Sequence, residues 1–313
     1  MATIGYIGLG NAGMSMSSNL PKHGYNLIVH DIDEDKVKQA LKWPNTRTGN
    51  FRDCDIIITM LAHGGIVRQV LEPLDLKEGT IIVDTSSSSP FDTLALAKDL
   101  ANRGLKYLDS PITQTYMHAT DDGRSTLMVG GDKEDFEKVK SVLQCMATYI
   151  FYMGPLGSGH AMKTLNNYIM ASSICALSDS LVTGQKYGLD PQTMIDCLNV
   201  GTGVNFPTMD TFRRDALTRN FNSGFGLALL VKDLGITEDF MKHNNFQTEL
   251  PSLLRGYLSH SMEVIGERSK TADHTECIRG WEERSGETLK KTPQVKDIPA
   301  EDFEHRLKGL NRK

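Results

Sequence analysis

The chain is 313 residues long, with 39% hydrophobic residues, 23% charged residues and a formal net charge of -5. That length suggests about two domains and a sizeable core, while the mildly acidic balance gives no electrostatic reason to bind nucleic acid or an anionic membrane. No apolar run reaches bilayer length, and the N-terminus lacks the basic, apolar and small-residue order of a signal peptide, so a cytoplasmic protein is expected.

Residues 3–7 read as a short buried strand. The turn Gly8-Leu9-Gly10-Asn11-Ala12-Gly13 follows, and residues 14–20 can continue as a helix. A second strand at 26–30 ends in Asp31. A G-x-G-x-x-G between a strand and a helix, with an acidic residue closing the next strand, is the context that the dinucleotide fingerprint requires. Gly8 permits the tight turn, Gly10 lets the backbone approach a pyrophosphate, and Gly13 lets the helix pack close to the strand. Leu9, Asn11, Ala12 and Met14 complete the contacts expected of this turn. Asp31 can accept hydrogen bonds from ribose hydroxyls and would repel a 2′-phosphate. No Arg follows it directly, so NAD is expected over NADP.

Further strands at 55–60 and 80–84 alternate with helical patterns at 66–71 and 93–100. In a doubly wound sheet, ligands bind outside the carboxyl ends of the strands, which places Met60, Leu61 and the run 85–89 on the cofactor side. Strands are also expected at 106–108, 126–131 and 148–152, with an amphipathic helix over 133–146. The stretch Asp109-Ser110-Pro111-Ile112-Thr113-Gln114-Thr115 follows the first of these strands.

A glycine turn, Gly157-Ser158-Gly159, then opens a helical pattern over 160–186. Lys163 and Asn167 stand four residues apart on it, a spacing that stacks both side chains on one helix face. Gly188 suits a helix C-cap, Asp190 an N-cap and Pro191 a first turn. Beyond this point the pattern is helical, most clearly over 227–241, until a charged stretch from 285 that reads as a peripheral extension. The fold class is therefore α/β. A Rossmann-type doubly wound N-terminal domain (1–159) is joined through a long helix to an all-α C-terminal domain (160–285), and a charged extension (286–313) follows. The cysteines, Cys54, Cys145, Cys175, Cys197 and Cys277, form no C-x-x-C pair, which favours free thiols in a reducing compartment. His274 and Cys277 lack further ligands at suitable spacing, so no metal site is expected.

Together these segments resemble the β-hydroxyacid dehydrogenase family, which includes 3-hydroxyisobutyrate dehydrogenase, tartronate semialdehyde reductase and sulfolactaldehyde reductase. The resemblance runs in order through about the first 285 residues. It rests on the opening glycine turn, on Asp84-Thr85-Ser86-Ser87-Ser88-Ser89-Pro90 against D-x-S-T-x-x-P, and on the first half of Asp109-Ser110-Pro111-Ile112-Thr113-Gln114-Thr115 against D-x-P-V-S-G-G. The stretch 157–167 and Lys232-Asp233-Leu234 are also matched. The family implies an oxidoreductase using NAD, with Lys163 as catalytic residue and Asn167 as a substrate contact. Ser87 and Lys232 would lie near the nicotinamide and the substrate, and Asp233 near the cofactor.

The chemistry of these residues agrees. Hydride transfer between an alcohol carbon and nicotinamide requires a proton to leave or reach the oxygen, and Lys163 can be the base in oxidation and the acid in reduction. Burial and the positive ring of oxidised NAD would disfavour its ammonium form and leave a neutral amine. Gly157 and Gly159 would let the backbone pass close to the ligand.

Where relatives acting on simple carboxylates offer Ser-Gly-Gly, Thr113, Gln114 and Thr115 fill the space with side chains. The substrate is expected to be a small anionic hydroxy acid or its aldehyde. A hydroxy sulfonate is an alternative, although Gln114 is a poorer sulfonate clamp than the Arg of sulfolactaldehyde reductase. An imine reductase-like activity and a non-catalytic cofactor-binding regulator are further alternatives, and relatives of both kinds have lost the lysine that this chain keeps. The family implies a homodimer or homotetramer.

Overall fold

The computed structural model describes residues 2–113, 125–246 and 248–293. Gln114 and Thr115 therefore lie outside the described residues, as does most of the charged extension. The chain divides into two compact units, Met1–Leu165 and Asn166–Lys313.

In the first unit the order is β1 (Thr3–Ile7), α1 (Asn11–Lys22), β2 (Asn26–His30), α2 (Glu34–Ala40), β3 (Thr46–Arg47) and β4 (Ile56–Thr59). Then come α3 (Gly64–Leu71), β5 (Ile81–Asp84), α4 (Pro90–Ala101), β6 (Lys106–Asp109) and β7 (Ile112–Thr113). The unit ends with β8 (Ser125–Gly130), α5 (Lys133–Leu143) and β9 (Ala147–Gly154). The described strands form one nine-stranded sheet in the order β3-β2-β1-β4-β5-β6-β8-β7, with β9 paired to β8. From β3 to β6 all pairs are parallel, and β8 then runs antiparallel to β6. Strands β4 and β5 are buried along their whole length, as a parallel sheet covered on both faces demands. Alternate side chains feed two cores. Ile56, Ile58, Ile81 and Val83 join one, and Ile57 and Ile82 join the other.

Register puts the carboxyl ends of the central strands in one row. Ile7 is opposite Thr59, Thr59 is opposite Asp84, and Asp84 is opposite Asp109. Strand order reverses between β1 and β4, and that reversal fixes where a ligand crevice opens in this architecture. The glycine turn after β1 stands at that point.

Helix α6 (Ser158–Tyr187) begins in the first unit and continues through the second. The second unit then has α7 (Pro191–Val200), α8 (Phe206–Met209), α9 (Leu227–His243), α10 (Leu250–Ile265) and α11 (Ile278–Ser285). Asp190 caps α7 by accepting the Thr193 N–H at 2.9 Å, and Gly188 has a φ of 104°, which suits a glycine at a helix end. The core of this unit gathers Ala171, Ile174 and Leu181 from α6 with Leu230 and Leu234 from α9, Leu258 from α10 and Trp281 from α11.

The charged stretch after Ser285 differs from expectation over its described part. Leu289 is 2% exposed within the helical core. Its N–H donates to Glu282 at 2.9 Å, and Gln185 bonds the backbone of Thr288 and Lys290 at 2.9 and 2.8 Å. One apolar anchor with paired backbone groups holds this segment, although most of its residues are polar. Among the described residues, no helix is long and apolar enough to cross a membrane, and no three His, Cys, Asp or Glu side chains are grouped to hold a metal. The cysteines are free thiols.

Candidate active site

The glycine turn divides its labour as its geometry requires. Gly8 has a φ of 101°, and a Cβ there would lie 2.2 Å from the Met60 carbonyl oxygen. A Cβ on Gly13 would lie 2.0 Å from the Gly8 oxygen, so α1 approaches the turn as closely as only glycine permits. A Cβ on Gly10 would meet nothing within 4 Å. The outer glycines thus shape the turn, and the middle one leaves its face open. Gly10 is the N-cap of α1 and contributes no side chain, and the first turn of the helix carries no acidic residue. Exposed N–H groups and the helix dipole there suit a phosphate.

Asp31 sits just past β2. Its Oδ2 accepts the Leu9 N–H at 2.5 Å and its Oδ1 accepts the Asp33 N–H at 2.8 Å, which fixes the carboxylate beside the turn. A dinucleotide cofactor fits this set: an open face for the pyrophosphate, a bare helix start and a tethered carboxylate at ribose distance in sequence. Met60 and Leu61 border the same turn, since the Leu61 Cδ2 is 3.0 Å from the Cβ that Gly8 lacks. The Leu61 N–H donates to Ser86 Oγ at 2.9 Å, which ties this edge to the serine run.

That run is organised by Asp84, a fully buried carboxylate. Its Oδ1 accepts from the Thr59 hydroxyl at 2.9 Å and the Ser86 N–H at 3.0 Å, and its Oδ2 from the Tyr107 hydroxyl at 2.9 Å and the Ser88 hydroxyl at 3.3 Å. Burial, with Asp84 beside it, pushes the Tyr107 hydroxyl well above the usual phenol range, so it remains a donor. Ser86 and Ser88 are buried and Ser87 between them is half-buried.

Asp109, next to Asp84 in the sheet and also fully buried, fastens the start of α6. Its Oδ1 accepts the Gly157 N–H and its Oδ2 the His160 N–H, both at 2.7 Å. A carboxylate on orphan N–H groups at a helix N-terminus satisfies both the hydrogen bonds and the dipole. Gly159 does something other than expected here. Gly157 has a φ of 88°, and a Cβ on Gly159 would lie 2.1 Å from the Met128 oxygen. The missing Cβ of Gly159 seats the helix start on β6 and β8, whereas at Gly157 it is the positive φ that calls for glycine.

Lys163 stands in the second turn of α6 and is half-buried. Asn167, one turn on, is 2% exposed, and its Nδ2 donates to Asp233 Oδ2 at 2.5 Å. The Asn166 amide donates to Asn167 Oδ1 at 3.1 Å, and Lys232 Nζ lies 3.0 Å from Asp233 Oδ1. Asn167, Lys232 and Asp233 are thus brought together within the helical unit, with Asp233 as their centre. Thr113 is half-buried on β7, opposite Thr126.

Asp84, Asp109, His160 and Thr93 carry no expected role from sequence, yet they build the frame. The available signal was the pair of strand patterns T-I-I-V-D and K-Y-L-D, each closing an apolar run on aspartate. An aspartate ending a buried parallel strand needs donors, and a glycine turn opening a helix supplies them.

Comparison with known proteins agrees with this architecture. The family model described as the NAD binding domain of 6-phosphogluconate dehydrogenase matches residues 3–154. The model described as NAD-binding of NADP-dependent 3-hydroxyisobutyrate dehydrogenase matches 157–281. The chain is 31% identical to 2-(hydroxymethyl)glutarate dehydrogenase of Eubacterium barkeri, covering 90% of this chain and 96% of that protein. It is 32% identical to mitochondrial 3-hydroxyisobutyrate dehydrogenase of Homo sapiens, covering 83% and 80%. The solved structure of the Mycobacterium tuberculosis 3-hydroxyisobutyrate dehydrogenase superposes with a TM-score of 0.78 at 25% identity, covering 90% of this chain and 99% of that one.

Proposed function

This chain belongs to the β-hydroxyacid dehydrogenase family, NAD(P)-dependent oxidoreductases acting on CH–OH groups, and from that premise we propose that it interconverts a small β-hydroxy acid and its aldehyde or ketone, with Lys163 as general acid and base. The observation that carries this reading is the seat of Lys163. It is a half-buried lysine in the second turn of a helix whose start is bonded to the end of β6 through Asp109.

Gly8, Gly10 and Gly13, with Leu9, Asn11, Ala12 and Met14, would hold the cofactor phosphates, and Asp31 the ribose. Met60 and Leu61 would border it. Bound there, NAD(P) would supply the hydride donor or acceptor for the substrate carbon. Lys163 Nζ takes the hydroxyl proton during oxidation and returns one to the carbonyl oxygen during reduction. Asn167, oriented by Asp233, holds the substrate so that the proton path stays aligned. Ser87 and the positive Lys232 bind the substrate's polar groups beside the nicotinamide. Thr113, Gln114 and Thr115 set which acid is accepted. NAD is preferred to NADP, because the Asp31 carboxylate repels a 2′-phosphate. The working form is a cytoplasmic homodimer or homotetramer, which light scattering on the purified protein checks.

The test is a panel of small β-hydroxy acids, hydroxy sulfonates and their aldehydes, scored by nicotinamide absorbance with the parent protein and Lys163→Ala. Turnover of a hydroxy carboxylate by the parent, lost in the variant while NAD still binds, is expected. A variant that keeps parental turnover removes Lys163 from the chemistry.

A further inference from the structure

His160 is fully buried in the first turn of α6, and its ring is engaged on both nitrogens. Nε2 lies 3.0 Å from the Ser86 carbonyl oxygen, an acceptor only, so this nitrogen carries a proton and donates. Nδ1 is left as the acceptor and takes the Thr93 hydroxyl proton at 2.7 Å, while the Thr93 N–H donates to the Ser89 carbonyl at 3.1 Å. His160 and Thr93, bonded to each other, therefore hold the carbonyls on either side of Ser87 and Ser88. The ring also sits between the two buried carboxylates of the strand row, with Nε2 3.8 Å from Asp84 Oδ2 and Nδ1 3.8 Å from Asp109 Oδ2.

Through the His160–Ser86 bond, these contacts together tie the serine loop to the start of α6. Asp84 fixes the loop from the sheet side, Asp109 fixes the helix from the sheet side, and His160 joins the two directly. Lys163 follows three residues later, on the same helical stripe. We propose that His160 is a positioning residue that sets the Ser87 loop in register with Lys163, so that replacing it slows turnover without loosening cofactor or substrate. The proposal rests on the assignment of Lys163 as the proton-transfer group. Misplacing a reacting group by about 1 Å costs about 10²-fold in rate, which is the scale of effect expected from releasing this tie.

The full-length His160→Ala, His160→Gln and Lys163→Ala variants are assayed with NAD and 3-hydroxyisobutyrate, or with a faster acid from the panel. Hydrogen–deuterium exchange is followed in parallel over residues 84–90 and 157–163. In His160→Ala, kcat should fall about 10²-fold, with KM for the acid and Kd for NAD within about threefold of parent, and exchange should rise in both segments. His160→Gln, whose amide can still donate to the Ser86 carbonyl, should recover kcat by about tenfold and restore protection. Parental kcat in His160→Ala, or equal loss in both His160 variants, would overturn the proposal, as would unchanged exchange over 84–90. Should His160→Ala fail to fold, Thr93→Val opens the same tie at the Nδ1 side, and parental kcat there is equally fatal. Activity retained by Lys163→Ala would instead sink the proton-transfer assignment, and the exchange data would still decide whether His160 holds the loop.

Discussion

The proposed ribose contact rests on a single carboxylate. Asp31 is held by the Leu9 and Asp33 N–H groups, so it is already oriented in the absence of any ribose. Asp31→Ala should therefore weaken NAD by about tenfold or more, since a charge-assisted hydrogen bond is worth about 1.5–3 kcal/mol, and should strengthen NADP, since it removes the carboxylate that repels a 2′-phosphate. Titration of both cofactors by fluorescence checks this, and an unchanged NAD/NADP ratio removes Asp31 from the ribose. That Asp31 stands beside the glycine turn and that Lys163 and Asn167 share a helix was legible in the sequence, because motif spacing places them. His160 was not, because its partners Ser86, Thr93, Asp84 and Asp109 come from three other segments, and only the sheet register brings them to one point. Asn167 was legible as a polar side chain on the right face, but its bond to Asp233 depends on a helix more than sixty residues away.

At the level of elements, the start of α6 is the piece on which the proposed chemistry depends. It is set by the Asp109 carboxylate and by the absence of a Cβ at Gly159, which lets the helix start approach Asp109 and Met128. Gly159→Ala should force the helix start away from the Met128 carbonyl. We expect a loss of about 1–3 kcal/mol in stability, typical of overpacking, with a larger proportional loss of kcat than of NAD affinity. Chemical denaturation and steady-state kinetics on the same preparation check both. The helix and strand order of the first unit was readable because each strand is a short apolar run punctuated by Gly, Asp or Ser. The short β3 and β7 were not, because two residues carry no periodicity and are strands only through their neighbours. The role of Gly159 was misread for a related reason. A glycine near a site serves backbone approach, and sequence does not say whether the approaching group is a ligand or the protein itself.

For the whole molecule, stability is shared between two cores in the first unit and one in the second, and the last described segment belongs to the latter. Leu289→Ala should destabilise by about 2–4 kcal/mol, as truncating a buried leucine does, whereas a solvated tail would show no change. Thermal melting of the parent and the variant distinguishes the two. The charge of this stretch concealed its role. A single leucine among polar residues is a weak sequence signal, and what makes it an anchor is the set of backbone bonds to Gln185, Leu217 and Glu282.

The alternation along the serine loop has a consequence for how this protein tolerates change. Ser86 and Ser88 are buried and bonded to Leu61 and Asp84, while Ser87 is half-buried. A saturation library over 85–89, selected once for soluble expression and once for turnover, should give two different maps. Expression should reject substitutions at 86 and 88 and accept them at 87, whereas turnover should reject all three. The position where the two maps disagree marks the side chain retained for chemistry, and the positions where they agree mark those retained for architecture.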